Sequence, residues 1–246
     1  YNVNRQNADL KFYVFGYCYY YNADNKKEGE TLAAYDEDFH LGMWLTGNKQ
    51  AQSWTAAEQK ASIYELKAYI ENIFRRLGFN LRKLVTGEYA DDLLSEALTV
   101  YSARGNKLAV YGFVHPKIRK TMDVDAEVYY ADINWNAVLS DLGSHNVRYT
   151  EISKFPEVKR DLALLIDKNV TFAEIEKIAY ETERKLLKKV TLFDVYEGKN
   201  LEAGKKSYAV SFILQDETKT LTDSQIESIM KKMLGNFENK LGAKLR

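Results

Sequence analysis

The pattern of hydrophobic and polar positions toward the C-terminus predicts six secondary-structure elements, four strands and two helices. A short apolar run at 161–166 and clean alternation at 207–214 predict strands, and 190–196 is rich in strand-forming residues. Capping boxes of the form T-x-x-E/Q begin at Thr171 and Thr222, and each precedes apolar residues at helical spacing. With a short last strand in AKLR, the order is β-α-β-β-α-β, the split βαβ arrangement of ferredoxin-like folds. Both helices would then cover one face of the sheet and leave the other face free.

The pattern of the preceding residues predicts a larger α+β domain. One long helix, capped in the T-A-A-E stretch at 55–58 and stopped by Gly78, carries an apolar stripe. Because strands dominate, we expect an antiparallel sheet with helices on one side. The polar stretch 140–156 separates this domain (1–150) from the second (151–246). The predicted strands lie at 11–21, 38–46, 96–103, 107–114 and 127–134.

Charge and composition restrict the expected partners and the expected cellular compartment. The chain has 35 basic and 35 acidic residues, divided 17 to 19 before position 150 and 18 to 16 after it. An anionic partner would therefore have to be met by a local basic patch. The single cysteine excludes an internal disulfide, so the cytoplasm is the expected compartment. The longest apolar run, 12–21, is too short for the ~20 residues of a membrane span.

Candidate chemistry is sparse. His40, His115 and His145 do not stand at metal-ligand spacing with another His or Cys, and each is interpreted as structural. The acid-rich YDEDFH at 35–40 could hold a cation, but a solvated turn before a strand is the favoured interpretation. Cys18 is expected to be a small core hydrophobe rather than a nucleophile. The YCYYY aromatics could stack bases, although filling a sheet is favoured. No Gly-rich phosphate loop or nucleophile motif occurs, so we predict no catalytic, metal or cofactor residues.

Basic residues cluster around the strands of the second domain. They suit either an ordinary soluble surface or phosphate contacts from loops that converge at one end of the fold, and the pattern leaves both open. The clusters are Lys154, Lys159 and Arg160 before the first strand; Lys185, Lys188 and Lys189 before the second; Lys199, Lys205 and Lys206 before the third; and Lys244 and Arg246 at the end.

Longer motifs point to a known family. An RNA-recognition motif (RRM) is a weak match, since KSYAVSFI keeps Lys206, Tyr208 and Ala209 but lacks the glycine and the other aromatics. FPEVKRDLALLID, LFDVYEGKNLEAGKKSYAVSFILQDETKTLTDSQIE and GAKLR instead resemble the ferredoxin-fold anticodon-binding domain that ends the beta subunit of bacterial phenylalanyl-tRNA synthetases. YNVNRQNADLKFYVFG, IYELKAYIENIFRRLGF and LAVYGFVHPKIRKTMDV are similar to that subunit's catalytic-like domain. Glu65 and Ala68 depart from its commoner Asp and Gly, and FYVFG departs from its F-E-x-G.

The resemblance implies a segment of a larger subunit. In that family beta chains pair with alpha chains in a heterotetramer, and the alpha chain holds the active site. Residues 1–150 would be a class II synthetase-like domain for structure and subunit contact, and 151–246 would bind the anticodon stem-loop of tRNA-Phe. The complete enzyme uses ATP and Mg²⁺, and neither a membrane nor DNA is an expected partner. FRRL lacks the acid of an F-R-x-E motif and no G-x-G-x-G-x-x-R motif occurs, which argues against a self-sufficient ligase.

The resemblance also makes tRNA the candidate partner of the basic residues. Arg160 has an alternative role in an ion pair that orders the start of its strand. A module that binds only protein, or an RRM-like RNA-binding protein, remains the alternative function. The predicted tRNA-binding residues are Lys154, Arg160, Lys199, Lys205, Lys206 and Arg246.

Overall fold

The computed structural model describes residues 1–142, 149, 151–198 and 201–246. The chain divides into two compact units, Tyr1–Val147 and Arg148–Arg246. Nowhere in these described ranges is there a helix both long and apolar enough to cross a membrane.

A six-stranded antiparallel sheet forms the centre of the first unit. Its strand order is β1-β2-β8-β7-β6-β5, and β3 and β4 form a separate small ladder. The five predicted strands are confirmed, whereas β5 was missed because its V-T-G-E-Y sequence is short and half polar. The strands are β1 (Leu10–Tyr21), β2 (Tyr35–Thr46), β3 (Asn48–Gln50), β4 (Gln59–Lys60), β5 (Val85–Tyr89), β6 (Leu94–Tyr101), β7 (Lys107–Val114) and β8 (Val128–Asn134).

The α-helices among the described residues of this unit are α1 (Ile63–Arg76), α2 (Pro116–Thr121) and α3 (Trp135–Asp141). The apolar stripe of α1 is buried with strand residues of one sheet face in a single core cluster. The expected cap at 55–58 is wrong, because the helix begins after Ser62. Gly78, at φ +92°, follows the end of α1 as predicted, since this left-handed conformation suits glycine.

Two expectations about β1 and β2 are wrong. Residues 35–40 are not a turn but the first half of β2, where they pair with β1. Cys18 is exposed rather than buried in a core. Its strand β1 lies at the sheet edge, and all of its residues from position 11 to position 21 are exposed, the apolar ones included.

The second unit has the predicted ferredoxin-like fold. Its four strands lie in the order β10-β11-β9-β12 and all pair antiparallel. Both capping boxes form, at Thr171 and at Thr222. The elements are β9 (Val158–Asp167), α4 (Phe172–Thr182), β10 (Leu187–Tyr196), β11 (Lys205–Leu214), α5 (Asp223–Leu241) and β12 (Lys244–Leu245).

The two helices of this unit cover one face of its sheet. The alternating side of β11, Tyr208 to Leu214, packs against them, and the Phe212 and Phe237 rings lie 6.0 Å apart. The other residues of β11 point to the opposite face, because successive side chains of a strand alternate. We call this second face, which α4 and α5 do not cover, the open face.

Candidate nucleic-acid interface

The centre of the open face is lined by small side chains. On β11 these are Ser207, Ala209 and Ser211, and Ala163 of β9 pairs directly with Ala209. The Ser211 hydroxyl donates a hydrogen bond to Oδ1 of Asp161, at 2.5 Å. We call these small residues the floor; Ser207 and Ser211 are only 5% and 4% exposed, so larger neighbouring side chains shield them.

A β-bulge places an aromatic ring at one margin of this floor. The register of β10 shifts between Leu192 and Asp194, and from there Asp194 pairs with Ala209 and Tyr196 with Ser207. Because paired residues share a face, the bulge directs both Asp194 and Tyr196 to the open face. The guanidinium of Arg246 lies over the Tyr196 ring, 4.9 Å from its centroid.

A second ring and cation lie on the same face. Phe193, the extra residue of the bulge, is exposed, and Nζ of Lys159 lies 5.5 Å from its ring centroid. Lys159 also approaches Asp161, with Nζ 3.7 Å from Oδ2. The open face therefore carries two aromatic rings, each beside a cation, around a floor of small residues. Exposed rings offer stacking surfaces for unpaired bases, and cations offer contacts for phosphates.

The predicted basic residues differ in their exposure and in their ion-pair partners. Lys154 is exposed before β9, and Arg160 is exposed within it. Arg160 forms the alternative ion pair, with Nη2 3.8 Å from Oδ1 of the highly exposed Asp223. Exposed pairs of this kind contribute little to stability. Lys199 lies outside the described residues.

Lys205 and Lys206 differ in their exposure and in the face of the sheet to which they point. Lys205 is half-buried and pairs with Asp167, Nζ to Oδ1 at 2.8 Å. Lys206 is only 7% exposed and points toward the helices; its Nζ donates a hydrogen bond to Oη of Tyr208 at 2.8 Å. Its role in tRNA binding stays a prediction, and its burial does not favour that role.

Arg160 and Lys205 do not converge at one end of the fold, which was one of the two interpretations left open for the basic residues. Arg160 pairs with Phe212 and Lys205 with Asp167, so they lie near opposite ends of the β9–β11 ladder. Seven residues of strand separate the two positions, about 23 Å at the usual rise. Antiparallel pairing causes this separation, because the start of one strand lies beside the end of its neighbour.

The first unit holds a hydrogen-bonded cluster around His40. Nδ1 of His40 lies 2.7 Å from Oδ1 of Asp132, and Nε2 lies 3.4 Å from Oη of Tyr20. Burial raises the pKa of Tyr20, and Cys18 and Asp38 nearby add to this rise. No group of three or more potential ligands suited to a metal ion occurs among the residues that the structure describes.

Of the other two histidines, His115 lies among the described residues and His145 does not. His115 caps α2, where its Nδ1 accepts a hydrogen bond from the backbone N–H of Lys117 at 3.1 Å. This contact agrees with the structural role predicted for it. His145 lies outside the described residues.

Two family models match the chain. Residues 153–246 match the ferredoxin-fold anticodon binding domain, and residues 1–135 match the CLM domain of the phenylalanyl-tRNA synthetase beta chain. The chain belongs to the phenylalanyl-tRNA synthetase beta chain family. The RRM-like alternative lacks support from the geometry, since RRM proteins stack bases on aromatics of the free sheet face, whereas Tyr208 packs against the helices.

Curated phenylalanine–tRNA ligase beta subunits are similar to the whole of this beta-chain segment. Those of Bacteroides fragilis and Porphyromonas gingivalis are 61% and 43% identical to it over 245 residues, and that of Lactococcus lactis is 31% identical over 246. The segment spans 30% of the length of each. A pyrrolysyl-tRNA synthetase from Desulfitobacterium hafniense overlaps at a TM-score of 0.37 and 10% identity, covering 56% of this chain and 44% of its own, and supports no inference.

Sequence reasoning missed Phe193 and Tyr196 as candidate binding residues of this beta-chain segment. Both stand in the F-D-V-Y motif that was quoted for the family resemblance. Simple alternation along 190–196 would place Tyr196 on the same face as Val190 and Leu192, which belong to the helix-covered side. Only the bulge reverses this assignment, and the sequence gives no clear sign of it.

Proposed function

We propose that this chain is the C-terminal segment of a phenylalanine–tRNA ligase beta subunit, and that its second domain, 151–246, binds the anticodon stem-loop of tRNA-Phe. The match of residues 153–246 to an anticodon-binding family carries the proposal. The two ring–cation pairs of the open face support it, because they provide the surface that such a ligand needs.

The open face would bind unpaired anticodon bases through its rings. Tyr196 is held at the margin of the floor by the bulge, and a base would stack on it where Arg246 now lies. The displaced guanidinium, always charged, would then contact a neighbouring phosphate. Lys159 and Phe193 would act as the corresponding pair on the same face.

Basic residues near the ends of β9 would add phosphate contacts beside this surface. Lys154 and Arg160 are exposed near one end of the strand, about 23 Å from the position of Lys205. Arg160 pairs with Phe212 and therefore points to the helix-covered side, so its contact would lie at the strand end and not on the open face. Such contacts position the RNA without reading its sequence. We propose Lys154, Arg160, Lys205 and Arg246 as phosphate contacts, and Lys199 by its sequence position alone.

The first domain, 1–150, would be a class II synthetase-like domain without catalytic residues that supports assembly with an alpha chain. Its match to the beta-chain CLM family supports this role. The complete enzyme would act in the cytoplasm as a tetramer of two alpha and two beta chains. It would join phenylalanine to tRNA with ATP and Mg²⁺, which this segment does not itself bind.

Titration of the complete enzyme with tRNA-Phe over a range of salt concentrations tests the proposal. Tyr196→Ala should weaken binding by about 1–3 kcal/mol, roughly 5- to 150-fold, with an unchanged salt slope. Arg246→Gln should weaken binding and reduce the salt slope by about one, because one phosphate contact is lost.

Lys232→Met is the control. It removes an exposed cation from α5, on the helix-covered side of the same domain, and should leave both affinity and salt slope unchanged. Wild-type affinity and slope in both the Tyr196 and Arg246 variants would exclude the open face as the site. Absence of any tRNA-Phe binding that depends on 151–246 would instead favour a module that binds only protein.

A further inference from the structure

Two of the basic clusters in the second unit meet at one end of its open face. Strands β9 and β10 both pair antiparallel with β11, which lies between them, so both begin at the same end of the sheet. Ile213, near the end of β11, pairs with Lys189 on one side and with Lys159 on the other. The two lysines are far apart along the chain but stand in one row across three strands.

Both lysine side chains point to the open face. Ile213 lies two residues beyond Ser211 and four beyond Ala209, and alternate residues of a strand share a face. Directly paired residues also share a face, so Lys159 and Lys189 lie beside Ile213 on that side. Two strand spacings separate their Cα atoms, about 10 Å. The long, flexible side chains can therefore bring both ammonium groups to a single phosphate between them.

Neither lysine is fully neutralised by the described residues. Lys189 is exposed, and its side chain forms no ion pair or hydrogen bond with any residue that the structure describes. The Lys159 side chain is 62% exposed, and its Nζ lies 3.7 Å from Oδ2 of Asp161, an exposed pair that solvent screens. In the described part of the chain, the exposed Glu157 pairs with neither lysine. Two ammonium groups on one face repel each other, and an anion between them would relieve this repulsion.

A third lysine lies at the same end of the sheet. Nε2 of Gln215, the residue after β11, donates a hydrogen bond to the backbone carbonyl oxygen of Phe155 at 2.8 Å. This contact holds the segment before β9 against the end of the sheet, and the exposed Lys154 adjoins it. Lys154, Lys159 and Lys189 therefore form one local basic patch, which a chain of zero net charge needs in order to meet an anionic partner.

We propose that Lys159 and Lys189 together form a binding subsite for one phosphodiester group of an RNA backbone. The ligand class follows from charge and placement, because two cations converge on the face that carries the stacking rings. From the row of Tyr196 to the row of Ile213 the β11 ladder covers six residues, about 20 Å. The bound RNA would thus run along β11, with bases at the Tyr196 end and backbone at the lysine end. This inference rests on the proposed function.

Titration of the complete enzyme with tRNA-Phe between about 50 and 200 mM salt tests the subsite. Lys189→Gln should weaken binding, and the ratio of wild-type to variant affinity should shrink about threefold as the salt rises, because one lost phosphate contact lowers the salt slope by about 0.7–0.9. Lys159→Gln should lower the slope in the same way, whereas Lys189→Arg keeps the charge and should keep the wild-type slope. Lys232→Gln, an equal charge change on α5, should leave affinity and slope unchanged.

The possible outcomes separate this inference from the proposed function. Weaker binding by Tyr196→Ala and Arg246→Gln, together with a wild-type slope for Lys189→Gln, would overturn the subsite and leave the binding face in place. Wild-type behaviour of all three variants would overturn both. The wild-type slope is also the expectation if Lys189 only protects the free edge of β10, so the titration distinguishes the two roles. An equal loss of slope in Lys189→Gln and Lys232→Gln would overturn the subsite too, because it would indicate a general effect of net charge.

Discussion

At the scale of single residues, Glu65 shows how a departure from a family pattern is accommodated. Its side chain is 6% exposed, and its Oε1 accepts hydrogen bonds from Nζ of Lys11 and Oη of Tyr69, both at 2.7 Å. Burial acts to raise the pKa of Glu65, but these two hydrogen bonds outweigh it and the pKa lies below its usual value. The contact joins the edge strand β1 to α1.

We expect Glu65→Gln to destabilise the first unit by about 1–3 kcal/mol at neutral pH, because it removes a charged acceptor from two hydrogen bonds. Since the folded pKa is lowered, the stabilisation is fully present above the unfolded value of 4.5 and is lost as pH falls through the folded pKa. Denaturant unfolding at several pH values should therefore show the variant and wild type approaching each other in acid.

Glu71→Gln is the control for Glu65→Gln. Its partner is Lys67, 3.6 Å away on the surface of the same helix, and both side chains are exposed. It should change stability by less than about 0.5 kcal/mol. Equal effects of the two substitutions, or a difference for Glu65→Gln that does not decline in acid, would contradict the assigned role.

At the scale of elements, the helix starts of the second unit were predictable because capping is local. The Thr171 backbone N–H donates to Oε2 of Glu174 at 2.7 Å, and its Oγ1 accepts from the Glu174 N–H at 3.4 Å. The backbone hydrogen bond from Thr171 lowers the pKa of Glu174, and the hydroxyl contact adds to this effect. The box involves only residues three apart, so the sequence contains all of its parts.

Thr171→Ala should lower the free energy of unfolding of the second unit by about 1 kcal/mol, because it leaves the backbone N–H of Glu174 in the first turn of α4 without its acceptor. Exposed Thr220, outside any helix, is the matched site, and Thr220→Ala should stay within about 0.5 kcal/mol of wild type. Chemical denaturation measures both. A Thr171→Ala variant as stable as wild type would show that the cap does not limit stability.

The bulge of β10, unlike the helix caps, could not be predicted from neighbouring residues. It depends on how β10 aligns with β11, residues that are separated along the chain by a loop. The pattern of 190–196 correctly predicts a strand, yet gives the wrong face for Tyr196. Register errors of one residue invert every later side chain of a strand, which is why the candidate binding ring was missed.

At the scale of the whole molecule, the neutral net charge and the exposed aromatic face of the β1–β2 hairpin matter together. We call this face the aromatic strip: Tyr13, Phe15, Tyr17, Tyr19, Tyr21 and Tyr35. With 35 basic and 35 acidic residues, no overall repulsion keeps copies of the chain apart, so the strip and the free edge of β1 are available to other copies.

We therefore expect residues 1–246 alone to self-associate at micromolar concentrations in sedimentation velocity. A Tyr13→Lys, Tyr17→Lys double variant should shift the chain toward monomer, because it places charge in the middle of the strip. Tyr64→Lys adds one charge on α1 away from the strip and should leave the association unchanged. A monomer at all concentrations, or equal effects of all variants, would show that the strip does not drive association.

The sequence by itself determined the features that neighbouring residues encode: the two capping boxes, the alternation of β11, the order of the second unit's elements and the motifs of the beta-chain family. Only the tertiary structure decided which side chains meet. It buried Lys206 against Tyr208, separated Arg160 from Lys205 along an antiparallel ladder, left Cys18 exposed on an edge strand and turned Tyr196 to the open face. Each of these outcomes depends on strand register or sheet order, which contacts between distant residues set and local patterns do not specify.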